Sequence, residues 1–127
     1  MKKLIVVFSH KLTDLQEEDA ISSLSVEDFV YLPKGLQRIW SNIDPQKDDT
    51  DEEVSLILNW VLENASQKDI VLVQGEPGAT YSLVKLLKEK KLTVVYSTTK
   101  REAFEIKNSD GSISIIHKIR HVRYREY

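Results

Sequence analysis

The sequence predicts an α/β fold: a Rossmann-like, mainly parallel sheet flanked by helices and extended by a C-terminal antiparallel β-hairpin. Three observations carry that expectation. Continuous apolar runs at residues 4–8, 29–32 and 70–73 suit strands covered on both faces. Helical patterns separate these runs, so strand and helix alternate along the chain, as parallel crossovers require. Near the C-terminus, an Asp-Gly pair divides two extended stretches, the strongest short signal for a hairpin.

Taken in order, residues 2–8 read as the first strand and 9–12 as its connection. Thr13 with Gln16 forms a capping-box pair that starts a helix running to about residue 23. Phe29, Val30, Tyr31 and Leu32 make a second strand, stopped by Pro33. Residues 34–43 suit a short helical segment with Leu36, Ile39 and Trp40, followed by an acidic loop. Thr50 and Glu53 make a second capping box. Behind it Val54, Ile57, Leu58 and Val61 hold the spacing of one helix face. The third strand is 70–73, a two-glycine turn covers 74–79, a helix runs to about 90, and a fourth strand spans 92–96. Residues 103–107 and 113–124 are then the two sides of a hairpin occupying about 101–127.

The chain has 127 residues, 41% hydrophobic and 30% charged, the balance of a single globular domain over 1–127 rather than a disordered or fibrous chain. It contains no cysteine, which excludes a disulfide scaffold, a thiolate zinc site and a cysteine nucleophile. The apolar runs are too short to span a bilayer. The Met1-Lys2-Lys3 start is followed by an apolar stretch that stops at Ser9-His10-Lys11, so no export signal is read and the expected compartment is the cytoplasm.

The net charge of −2 conceals an asymmetry. Residues 1–84 hold 7 Lys and Arg against 15 Asp and Glu, whereas residues 85–127 hold 11 against 5. The C-terminal third therefore favours a phosphate-bearing ligand, but the whole chain is no generic DNA-coating protein. Trp40 and Trp60 read as core. The acidic run 48–53 lacks calcium-loop spacing and suits a helix N-terminus.

In open α/β sheets, ligands bind beyond the carboxyl ends of the strands. That rule gathers three segments at one edge: Ser9-His10-Lys11, 74–80 and 97–101. In the second, Gly75 and Gly78 allow close approach of an anion to a helix N-terminus, with Gln74 and Thr80 as side-chain partners. The same glycines equally suit a plain strand-to-helix turn with Pro77 at its first helical position. In the third, Thr98 and Thr99 offer hydroxyls, Lys100 a point charge and Arg101 a bidentate fork, a set suited to phosphate oxygens. His10 is a candidate general acid or base, and equally a surface histidine; Lys11 offsets ligand charge. The basic stretch of His117, Lys118, Arg120, His121, Arg123 and Arg125 suits either a phosphate backbone or edge protection. Simple alternation puts Lys118 and Arg120 on one face and the other four on the opposite one.

Together, Phe8-Ser9-His10-Lys11-Leu12-Thr13, Phe29-Val30-Tyr31-Leu32-Pro33, the segment from Val73 through Gln74-Gly75-Glu76-Pro77-Gly78-Ala79-Thr80 to Tyr81, and Tyr96-Ser97-Thr98-Thr99-Lys100-Arg101-Glu102 resemble the CRISPR-associated Csx-twenty family of type III systems. The resemblance covers almost the whole chain. It implies a CARF-like domain that binds cyclic oligoadenylate, notably cyclic tetra-adenylate, and acts as a ring nuclease, usually as a homodimer. It implies no cofactor, no membrane and no long nucleic acid as partner. Physically, such cleavage needs no metal if the ribose 2′-hydroxyl attacks its own phosphate. His10 would then assist proton transfer or position the ribose, Lys100 and Arg101 would stabilise phosphoryl charge, and Ser9, Lys11, Gln74, Gly75, Gly78, Thr80, Thr98 and Thr99 would hold the ligand. Two other readings use the same residues: sequestration of the messenger without turnover, and an adaptor domain that docks a protein or RNA partner.

Overall fold

Runs of Val, Ile and Leu with no polar break form the middle of the sheet. The computed structural model describes residues 1–127 as β1 (Lys3–Val7), α1 (Asp14–Leu24), β2 (Asp28–Tyr31), α2 (Lys34–Ser41), α3 (Asp51–Asn64), β3 (Ile70–Val73), α4 (Pro77–Glu89), β4 (Thr93–Lys107) and β5 (Ile113–Glu126). The strands lie in the order β2-β1-β3-β4-β5; the first four are parallel and β5 is antiparallel to β4. The chain moves one way from β1 to β2 and returns past β1 to β3, so the sheet switches direction between β1 and β3, where open α/β sheets form a crevice.

Each face of the sheet has its own core. Ile5, Val7, Val71, Val73 and Val94 pack with Trp40, Val54, Ile57, Val61, Leu83 and Leu87 from α2, α3 and α4. Leu4, Val6, Ile70, Leu72, Val95 and Tyr124 pack with Leu12, Ala20 and Val26 around α1. No helix is long and apolar enough to cross a membrane.

The first capping box forms in full: Thr13 Oγ1 accepts from Gln16 N and Gln16 Oε1 accepts from Thr13 N. The second does not. Thr50, at φ −116° and ψ 18°, makes no side-chain cap bond, and the Glu53 carboxylate pairs instead with Lys47, whose Nζ lies 2.7 Å from Glu53 Oε1. Asp51, Glu52 and Glu53 still occupy the first turn of α3, where the helix dipole favours them.

The largest departure from the sequence reading is at β4. The expected strand 92–96, the polar loop 97–101 and the first hairpin side are one continuous strand. Residues 97–101 pair along their length with β5, from Ser97 opposite Tyr124 to Arg101 opposite Ile119. Ladder hydrogen bonds satisfy their backbone, so polar side chains do not end the strand. A register shift between Thr98 and Thr99 leaves Val122 as the extra residue on β5. This bulge resets the alternation. Arg123 and Arg125 oppose Thr98 and Tyr96, on the face that also carries Lys118 and Arg120, while His121 opposes Thr99 on the other.

Two local constraints are testable. Gly75 abuts the buried Trp40 indole, and a Cβ there would sit 2.6 Å from Nε1. Gly75→Ala is expected to cost about 1–3 kcal/mol through overpacking, read as a lower midpoint in chemical denaturation. Asp69 is the second. Burial raises the pKa of its carboxyl, but hydrogen bonds from Ser66 N and Lys3 N, both 2.8 Å, and from the Lys3 ammonium hold it down to about 2. The folded value lies below the ordinary 3.8, so its stabilisation is complete above that pH and disappears as pH falls toward 2. Denaturation at pH 6 and at pH 2.5 should show a loss of about 2 kcal/mol that Asp69→Asn lacks.

Candidate functional site

At the carboxyl ends of β1 and β3, the outward continuation of β4 and β5 forms a third wall. The N-terminal turn of α1 forms the fourth. They enclose a cavity of about 630 Å³ lined by Phe8, His10, Lys11, Thr13, Leu15, Gln16, Gln74, Ser97, Thr99, Ile119, Arg120 and His121. That lining holds two permanent cations, two imidazoles, two amides and three hydroxyls, but no carboxylate. It is chemistry for an anion with hydrogen-bonding edges.

Gln74 and Gln16 organise this cavity. Gln74 lies immediately beyond β3; its Oε1 accepts from Ser97 N at 2.9 Å, and its carbonyl accepts from Trp40 Nε1 at 2.9 Å. One residue thereby ties β3, β4 and α2 together. Gln16 extends the capping box into the site. Because its Oε1 is taken by Thr13 N, its Nε2 is the end that reaches Ser97 Oγ, at 3.4 Å.

Ser97 Oγ also lies 2.5 Å from His121 Nδ1, and His121 Nε2 lies 2.7 Å from Asp19 Oδ2. Ser97 and His121 are buried, while Asp19 stands at the rim. The Ser97 hydroxyl can donate to Nδ1 with the imidazole N–H at Nε2 facing Asp19, or accept from Nδ1, according to the tautomer. Burial acts to raise the Asp19 pKa. Hydrogen bonds from Ser23 and His121 and the nearby charges of His121 and Arg123 outweigh it and leave the carboxyl below its usual range. Tyr124 Oη donates to the Gln16 carbonyl at 2.8 Å, and burial raises its phenol pKa.

Of the residues singled out by sequence, His10, Lys11, Gln74 and Thr99 line this cavity. The others lie elsewhere. Ser9 gives its carbonyl to Gln37 Nε2. Gly75 is pressed against Trp40. Gly78 borders a separate recess beside the acidic loop, with Asp48, Asp49 and Glu76. The backbone N–H groups of Gly78 and Ala79 are already bound by the Glu76 carboxylate, so the protein's own anion caps α4 where a phosphate was expected. Thr80 Oγ1 is buried without a hydrogen-bond partner. Thr98 Oγ1 donates to the Arg123 carbonyl on the opposite sheet face, and Lys100 shares that face. Arg101 follows Thr99 on the cavity side, opposite Ile119, one step beyond the lining.

The sequence reading did not assemble Gln16, Asp19, Ser97, Arg120 and His121 into a site. Gln16 carried a signal through its cap, Ser97 through the segment 97–101 at the strand-end edge, and Arg120 and His121 through the basic stretch. The pairing of Asp19 with His121 spans 102 positions and depends on the β5 bulge, which no local pattern announces. No group of three or more His, Asp or Glu side chains is placed to hold a metal ion.

Comparison with known proteins gives a family without an assigned activity. Residues 2–125 match the model described as "Uncharacterized protein MJ1673 family". The chain is 47% identical over 127 residues to the "Uncharacterized protein MJ1673" of Methanocaldococcus jannaschii, covering all of this chain and 98% of that one. No solved structure matches. The Asp19–His121 contact itself can be measured: a double-mutant cycle with Asp19→Ala and His121→Ala should return a coupling of about 1–3 kcal/mol in stability, against near zero for an unrelated exposed pair.

Proposed function

We propose that this chain, which belongs to the MJ1673 family, is a cytoplasmic ring nuclease acting on cyclic oligoadenylate. Cyclic tetra-adenylate is the proposed substrate, and its cleavage would switch off type III CRISPR signalling. The observation that carries this reading is the cavity: about 630 Å³ at the switch point of the sheet, with Lys11, Arg120, His10 and three hydroxyls and no acidic residue in its lining. Pockets of about 300–1,000 Å³ hold ligands of drug size, so one cavity suits part of a tetranucleotide ring. The resemblance of the strand-end segments to the Csx-twenty family supplies the substrate class.

In this reaction the ribose 2′-oxygen attacks the adjacent phosphorus in line and the 5′-oxygen departs, leaving a linear product with a terminal cyclic phosphate. Lys11 and Arg120 stabilise the charge on the phosphoryl oxygens. Gln74, Thr13 and Thr99 hold base and ribose edges, and His10 at the mouth serves the leaving oxygen. Arg101 stands farther out along the arm on the cavity side and meets the ligand's periphery, whereas Lys100 is on the other face. No metal or cofactor enters this scheme, and no membrane or long nucleic acid is a partner.

The reading includes a homodimer, and the arm supports it. Beyond the bulge, nine residues of β4, separated by eight rises of about 3.4 Å, carry the hairpin some 27 Å outward, a two-stranded ribbon that is marginal alone. It exposes Ile113, Ile115 and Ile119 on one face and Phe104, Ile106 and Ile116 on the other. A two-fold pair covers such surfaces and presents each cationic contact twice to a ring of matching symmetry. Sedimentation should give a dimer for the wild type and a monomer for Ile113→Asp/Ile115→Asp; a monomeric wild type contradicts this part of the reading.

Purified protein with excess EDTA should convert labelled cyclic tetra-adenylate to linear products. Arg120→Ala and Lys11→Ala should each slow single-turnover cleavage by at least about tenfold, or about 1.4 kcal/mol of transition-state stabilisation. Tight binding with an intact ring would instead mark a sequestering protein. An unshifted melting midpoint with the ligand would point to an adaptor, because a ligand bound only by the folded state raises that midpoint.

A further inference from the structure

We infer that Asp19, His121 and Ser97 form a hydroxyl-activating relay that takes the proton from the attacking ribose 2′-hydroxyl. The role in cleavage rests on the reading that the cavity cuts ribose phosphodiesters; the activation of Ser97 does not. Three groups stand in series, with Ser97 Oγ 2.5 Å from His121 Nδ1 and His121 Nε2 2.7 Å from Asp19 Oδ2. This is the order of nucleophile, base and orienting carboxylate by which proteins activate a hydroxyl, here with the two ring nitrogens exchanged relative to the usual serine triad. Gln16 Nε2 donates to Ser97 Oγ at 3.4 Å, an arrangement compatible with the serine proton passing to the imidazole. Ser97 and His121 both line the cavity, so the chain ends where a ligand enters.

A purely structural tie between α1 and the hairpin would need none of this chemistry. That tie already exists in the Tyr124 Oη bond to the Gln16 carbonyl and in the packing of Tyr124 with Ala20. What the imidazole adds is a base whose protonated form is stabilised by an anionic, hydrogen-bonded carboxylate. In the proposed step the 2′-hydroxyl passes its proton to Ser97 Oγ as the Ser97 proton passes to His121 Nδ1. The bond from the 2′-oxygen to phosphorus forms, the bond from phosphorus to the 5′-oxygen breaks, and the 5′-oxygen takes a proton from His10 in its imidazolium form. Exchange with water then restores both histidines.

Two measurements on the full chain test this separately from the substrate. A small fluorophosphonate should add to Ser97, with Oγ–phosphorus bond formation and loss of fluoride, read by peptide mass spectrometry. Asp19→Asn and His121→Gln, checked for folding by their melting midpoints, should slow that labelling by at least about tenfold. Absence of an adduct at Ser97, or equal labelling in His121→Gln, overturns the relay. In single-turnover ring cleavage, Ser97→Ala should lose about a hundredfold in rate while its affinity for the 2′-deoxy ring changes by less than about threefold. Wild-type cleavage rates in Ser97→Ala also overturn it. Labelled Ser97 with no ring cleavage by the wild type would retain the activated hydroxyl and reject the nuclease reading.

Discussion

A polar chain running from Thr13 at the surface through the buried Gln16, Ser97 and His121 to Asp19 at the rim sets the shape of the candidate site. It joins the first turn of α1 to the point where β4 and β5 leave the sheet. Each member satisfies its neighbour, as burial demands, because an unpaired polar atom at such a position costs about 1–3 kcal/mol. The cavity exists because these strands continue outward from that junction rather than stopping at the sheet edge.

The arrangement separates two kinds of charge. The acidic excess of residues 1–84 is spread over α1, the loop before α3 and the first turn of α3, while the lining of the cavity contains no carboxylate. Asp19 sits behind His121, outside the lining. The cations are divided as well. Lys11 lines the cavity, and Arg120 borders it although its register places it with Lys118, Arg123 and Arg125 on the other face of the hairpin. The one-residue irregularity in β5 turns Arg123 and Arg125 away from the face that carries His121 and Thr99.

Much of the fold is legible in local pattern. The continuous apolar runs identify β1 and β3, the Thr13 cap starts α1, and the Asp-Gly turn closes the hairpin, where Gly111 takes the positive φ that the turn requires. The site is only half legible. The rule that strand ends converge brings His10, Lys11, Gln74 and Thr99 together, because it depends on topology alone. It misplaces Gly78, because nothing in the spacing shows Glu76 folding back onto the helix N-terminus. It also misplaces Lys100, because polar residues at 97–101 look like a loop when their ladder partners lie some 20 residues ahead. His121 and Asp19 meet only through tertiary register.

Backbone amide chemical-shift mapping with the 2′-deoxy form of cyclic tetra-adenylate, which cannot be cut by 2′-oxygen attack, locates the ligand directly. The account requires the largest shifts at Lys11, Gln74, Ser97, Thr99 and Arg120, with residues 44–50 and Gly78 unmoved. Shifts centred on Gly78 and the acidic loop, or none at saturating ligand, would contradict it.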